Sequence, residues 1–296
     1  MNKKSDDHSR ISLTAKITAY WKSLSNIPYA KEIAEAVKAE QTARQMLGDK
    51  LDWMTSFSPP MLEARYKSIN SVIRKIDIKN VMELACGLSP RGLEVVSDGG
   101  NYVGTDLPEM SAEGSKIIID IAAQEGIPVD NLHFQPADVM NKDELENAAV
   151  YFNGREFAVI CEGLLPYLSR DEKAVMAKNI KVLLSNKRGA WITADISFKG
   201  LREAIIATLG KNVRDTVKSV MQNISERTGS DISGNDFVNV LEALKFYEDM
   251  GFRIEEYPMY TGDYELSASA FIPHNLKNRF LDILTTAKVF VLTPES

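Results

Sequence analysis

The 296-residue chain is 44% hydrophobic and 26% charged, enough for one large core with additions. Its formal charge of −6 leaves no basic footprint, so nucleic acid is not expected as a partner. Two cysteines and three histidines (His8, His133, His274), with no C-x-x-C or H-x-x-x-H spacing, offer no metal site. No apolar run reaches the roughly 18 residues of a membrane span, and a cytoplasmic protein with reduced thiols is expected.

Residues 11–75 place apolar side chains at helical spacing, at Ile33 and Val37 and again at Ile69, Val72, Ile73 and Ile76, with Ser58-Pro59-Pro60 as an interruption. Residues 1–75 therefore read as an N-terminal helical cap. From about residue 80 short apolar runs alternate with helical patterns, the signature of βαβ units. Val81-Met82-Glu83-Leu84 runs into the turn Ala85-Cys86-Gly87, and Asn101-Tyr102-Val103-Gly104-Thr105 closes on Asp106. Residues 110–125 read as a helix, 132–138 as a third strand and 157–163 as a fourth, which stops at Glu162-Gly163. A helix over 170–184 precedes a fifth strand over 190–196. The helical pattern over 199–249 is longer than a crossover needs, which implies an insertion over the site. Strands over 252–257 and 288–292 follow, with a helix over 276–283 between them. The fold class is thus α/β: a Rossmann-like, doubly wound, mostly parallel seven-stranded sheet over residues 76–296, forming one folded unit with the cap.

In such a sheet, ligands sit outside the carboxyl ends of the strands. With a strand order of 3-2-1-4-5, the ends carrying Gly87, Asp106, Asp138 and Glu162-Gly163 line one crevice. An acid at the end of the second strand suits a ribose diol. The turn is not G-x-G-x-x-G, because Ala85 takes the first glycine position, so a pyrophosphate lacks its cradle and a dinucleotide is the weaker reading. Bland readings stand beside these. Asp138, ahead of a helical run, equally suits a helix cap; Cys86 and Cys161 read as buried small hydrophobes; and Glu83, inside an apolar strand, reads as a structural acid holding the turn.

Four segments resemble the leucine carboxyl methyltransferase family, which includes polyketide carboxyl methyltransferases of the tetracenomycin type. Glu162-Gly163-Leu164-Leu165-Pro166-Tyr167-Leu168 is similar to its E-G-[VL]-L-x-Y-[ML] segment, and Thr105-Asp106-Leu107-Pro108 to its D-[LF]-P strand end. Ala64-Arg65-Tyr66 and Ser12-Leu13-Thr14-Ala15-Lys16 resemble its cap arginine and its N-terminal signature. The E-x-A-C-G turn is also similar to those that class I methyltransferases lay against S-adenosylmethionine. The resemblance covers residues 12 to about 185. It departs where the family shows G-A-G-x-D-[ST]-R and this chain has Ala85-Cys86-Gly87-Leu88-Ser89-Pro90-Arg91.

The resemblance implies S-adenosyl-L-methionine as cofactor and S-adenosyl-L-homocysteine as product. Arg65 and Lys16 would pair with the methionyl carboxylate and Glu162 would approach the amine. Gly87 would pass close beneath the methionyl part, Asp106 would take the ribose hydroxyls and Asp138-Val139 would frame the adenine, with Glu83, Ala85, Leu107 and Gly163 also at the cofactor. Tyr167 and Arg91 would orient the acceptor, although Arg91 equally suits a surface charge on the first helix turn. The implied activity is methyl transfer to an oxygen of a small molecule by in-line displacement. A carboxylate acceptor is favoured because it is already ionised and needs no general base. A protein carboxyl terminus as acceptor, a non-catalytic nucleotide-binding protein and a nicotinamide oxidoreductase are the rival readings.

Overall fold

The structure, a computed structural model, describes residues 3–185, 189–196, 198–199, 203 and 234–295, and the side chains from residue 13 onward. Five helices come first: α1 (Lys3–Ser23), α2 (Ala30–Ala36), α3 (Ala39–Leu47), α4 (Lys50–Thr55) and α5 (Ser58–Lys75). The Ser58-Pro59-Pro60 interruption is the start of α5, with proline in the first turn, where no amide donor is needed. The alternating part follows as β1 (Val81–Leu84), α6 (Arg91–Ser97), β2 (Tyr102–Asp106), α7 (Pro108–Glu125), β3 (Leu132–Pro136), α8 (Lys142–Ala149), β4 (Ala158–Cys161), α9 (Arg170–Leu184) and β5 (Ala190–Thr193). The chain ends with α10 (Val240–Asp249), β6 (Phe252–Pro258), α11 (Lys277–Thr286) and β7 (Lys288–Pro294). Most of the expected insertion over 199–249 lies outside the described residues; its described part includes α10.

The seven strands lie in the order β3-β2-β1-β4-β5-β7-β6. The first five are parallel, with Val81 opposite Tyr102 and Ala158. β7 runs antiparallel to both β5 and β6. The third, fourth and fifth strands are shorter than their apolar runs, because Asp138, Glu162-Gly163 and Asp195 already belong to the loops that leave the sheet.

Strand side chains alternate between two cores, as the period of two requires. Val81, Tyr102, Ala158, Ile160, Ile192 and Val291 face α6 and α7 together with cap residues Ala19, Ile33, Ile69 and Val72. Met82, Leu84, Val103, Val159, Trp191 and Leu292 face α8, α9 and α10 through Leu145, Met176 and Tyr247. Cap and sheet thus share one apolar cluster. That leaves the carboxyl ends of β1, β2, β4 and β5 at the junction with α1 and α5.

Candidate functional site

All four residues of β1 are buried, whereas Ala85, Cys86 and Gly87 are half-buried, so the sheet opens at this turn. Ala85 and Gly87 both have positive φ, +49° and +54°. That conformation is natural for glycine and costs alanine about 1–2 kcal/mol. Two neighbours hold the turn. Asp106 at the end of β2 accepts from the Gly87 amide at 2.8 Å and from the Leu107 amide at 2.8 Å. Gly114 of α7 lies so close that a Cβ there would stand 2.7 Å from the Gly87 carbonyl oxygen. α1 crosses this turn: a Cβ on Gly87 would stand 3.7 Å from the Ala15 methyl. Lys16, one residue on, pairs with Glu113 of α7 at 3.1 Å.

Beside the turn lies a cluster of charges. Glu162, just past β4, has a side chain only 3% exposed and touches three cations: Lys22 at 2.8 Å, Arg65 at 3.4 Å and Arg91 at 2.5 Å. Burial alone would raise its carboxyl, but Lys22, Arg65 and Arg91 outweigh that and bring it down to about 2. Glu83 accepts from the Ser89 hydroxyl at 3.1 Å, the Arg91 Nε at 3.1 Å and the Tyr102 hydroxyl at 2.7 Å. Asp195, two residues past β5, accepts through Oδ2 from the amides of Gly163 (2.6 Å), Leu164 (2.8 Å) and Leu165 (3.4 Å). Its Oδ1 faces Arg65 Nη1 at 3.8 Å.

Three of the residues expected at the site already have partners within the protein. Arg91 was placed on the acceptor, but its side chain has no exposure and is held by Glu83, Glu162, Asn70 and the Tyr66 carbonyl, stacked on the Tyr66 ring at 4.3 Å. It ties α6 to the cap. Glu83 was given to the cofactor, but it is enclosed, and it holds side chains rather than turn amides. Glu162 was given to the ligand amine, yet each of its oxygens already faces a cation. Asp138 is exposed and accepts from the Met140 amide at 2.9 Å in the turn ahead of α8, whose N-cap is Asn141 and not Asp138; Val139 beside it is buried. Both thiols are pushed well above their ordinary value, chiefly by burial.

Arg65 stands apart from the other cations. Its side chain is 22% exposed, and its buried Nε makes no hydrogen bond. It lies against Gly163, whose φ of +85° turns the loop beneath it. Tyr167, on the 3-10 turn Leu165–Tyr167, is half-buried near Arg65 and Asp195. Burial raises its hydroxyl, so at neutral pH it is a neutral donor. The sequence reading missed Lys22, which has no motif around it, and Asp195, a strand-end acid of the same kind as Asp106. Among the described residues no group of three His, Cys, Asp or Glu side chains is arranged to hold a metal ion.

Neither a protein-family model nor a curated protein matches the chain, so the resemblance to the leucine carboxyl methyltransferases rests on the quoted motifs. Among solved structures, the chain is similar to magnesium protoporphyrin IX methyltransferase from Synechocystis PCC 6803 with bound S-adenosylhomocysteine, at 14% identity over 79% of this chain and 84% of that one, TM-score 0.44. It is also similar to the methyltransferase domain of bacterial CtHen1, at 13% identity over 79% and 99%, TM-score 0.47. A third is PigF with S-adenosylhomocysteine, at 11% identity over 90% and 70%, TM-score 0.47. At these identities none of them assigns a family or a function to this chain.

Proposed function

We propose that the chain is an S-adenosylmethionine-dependent O-methyltransferase acting on a small molecule, with a carboxylate as the favoured acceptor. The observation that carries the reading is the pairing of the half-buried Ala85-Cys86-Gly87 turn, pinned by Asp106, with a partly exposed Arg65 that its two acids hold only at 3.4 and 3.8 Å. A nucleoside joined to an amino-acid tail needs both: a hydroxyl acceptor at one end and a cation with spare donors at the other. In this reading Asp106 and Leu107 take the ribose, and Ala85, Gly87 and Gly163 leave space for the methionyl chain. Val139 and the Asp138 backbone frame the adenine, and Arg65, with Lys16 at the rim, binds the carboxylate.

When bound, the cofactor supplies a methyl group on a sulfonium. The chain's residues contribute alignment and exclusion of water, which are worth roughly 7–11 kcal/mol where geometry is right. Tyr167, as a neutral donor, orients the acceptor from the loop after β4. Calorimetric titration tests the reading. Heat is expected with S-adenosylmethionine and S-adenosylhomocysteine and none with NAD, and silence with the first two rules out the donor site. Heat without methyl transfer to any carboxylic acid or phenol would leave a binding protein in place of an enzyme.

A further inference from the structure

Asp195 uses its two oxygens for different partners. Oδ2 collects the three successive amides of Gly163, Leu164 and Leu165, together with the Cys161 thiol at 3.8 Å. Such a row of amides is a ready-made seat for a carboxylate. Oδ1 faces Arg65. The group is held from behind by Thr193, whose hydroxyl accepts from the Asp195 amide at 3.0 Å and donates to the Cys161 carbonyl at 2.9 Å. The side chain is only 1% exposed, so little water competes with any of these contacts.

Arg65 therefore lies between two acids, at 3.4 Å from Glu162 and 3.8 Å from Asp195. Glu162 alone would draw the guanidinium into a closed two-bond pair, the geometry arginine and carboxylate prefer. With Asp195 on its other side, Arg65 instead keeps one long bond, from Nη2 to Glu162 Oε1 at 3.5 Å, and Nε is left without a hydrogen bond.

We propose that Asp195 is a positioning residue: it fixes the loop carrying Tyr167 and, through its second oxygen, holds Arg65 open for the carboxylate of an amino-acid-bearing ligand. The inference rests on the proposed donor site and adds the group that prepares its cation.

The isosteric Asp195→Asn variant separates the two roles. Its carbonyl oxygen must face the three amides, since only an acceptor fits there, and its NH2 is then turned toward Arg65. The loop stays held while the acid opposite Arg65 is lost. Two ligands report on this in calorimetric titration: S-adenosylhomocysteine, which carries the amino-acid tail, and 5′-methylthioadenosine, which lacks it. The expected result is a loss of at least tenfold in affinity for the first and less than twofold for the second. Parallel losses, or no loss, overturn the proposal while leaving the donor site intact. Absence of binding to the unmodified chain removes the donor site and the proposal with it. If the Asn variant does not fold, Asp195→Glu moves the charge by one methylene; the same selective loss is expected and a parallel loss again overturns the proposal.

Discussion

Glu162 shows how much one side chain can be asked to hold. An anion with 3% exposure would be costly alone, and three cations compensate it. Because its carboxyl is depressed from 4.5 to about 2, ionised Glu162 stabilises the fold. That contribution is fully present above about pH 4.5 and is lost as pH falls toward 2. The shift corresponds to about 3 kcal/mol. Glu162→Gln is expected to lower stability at pH 7 by roughly that amount and to flatten the acid side of the profile. Urea unfolding of both proteins between pH 7 and 2 checks this, and equal slopes below pH 4.5 would speak against it. At this scale the sequence was partly legible. Glu162 stood out because an acid ended an apolar run, but its partners Lys22, Arg65 and Arg91 come from three separate helices. Chain position does not reveal that these cations converge on one carboxylate.

The turn between β1 and α6 is the element on which the proposed site depends. Its backbone is shaped by two positive-φ residues and by the bond to Asp106. Alanine at position 85 carries an αL penalty that glycine would avoid. Ala85→Gly removes about 1–2 kcal/mol of strain and adds about 0.5–1 kcal/mol of chain entropy in the unfolded state. A net gain of about 0.5–1 kcal/mol is expected, read as a higher urea midpoint; a lower midpoint would mean the turn is not strained at Ala85. Element existence was readable from pattern, since β1, β4 and β5 are apolar or nearly so and α9 opens with the capping box Ser169 to Glu172, while β3 and β6 are mixed. Strand ends were not, because the last residues of three runs, Asp138, Glu162-Gly163 and Asp195 among them, already belong to the loops that leave the sheet.

Across the whole molecule, the cap is built into the core. Ile69 of α5 has no exposure and shares a cluster with Val81 and Ile160 of the sheet. Ile69→Ala is expected to cost about 2–5 kcal/mol. If cap and sheet fold as one unit, tryptophan fluorescence and far-ultraviolet circular dichroism will report a single shifted transition. Two separate transitions would make the cap a unit of its own.

By itself the sequence determined the alternation of strands and helices and the turn at Ala85-Cys86-Gly87 with Asp106, whereas the order of the first five strands was supposed with the fold class and is given by the structure. The alternation and the turn follow from local periodicity and from the short connections of βαβ units, which act within a few tens of residues. Only the tertiary structure decided which charges are spent on the protein and which are left for a ligand. Arg91, Glu83 and Glu162 read as site residues by type and place, yet burial and mutual pairing consume them. Arg65, of the same type, is left loosely held between Glu162 and Asp195, 33 residues apart in the chain. Pairing energies depend on distance and exposure in space, and neither is written in the order of residues.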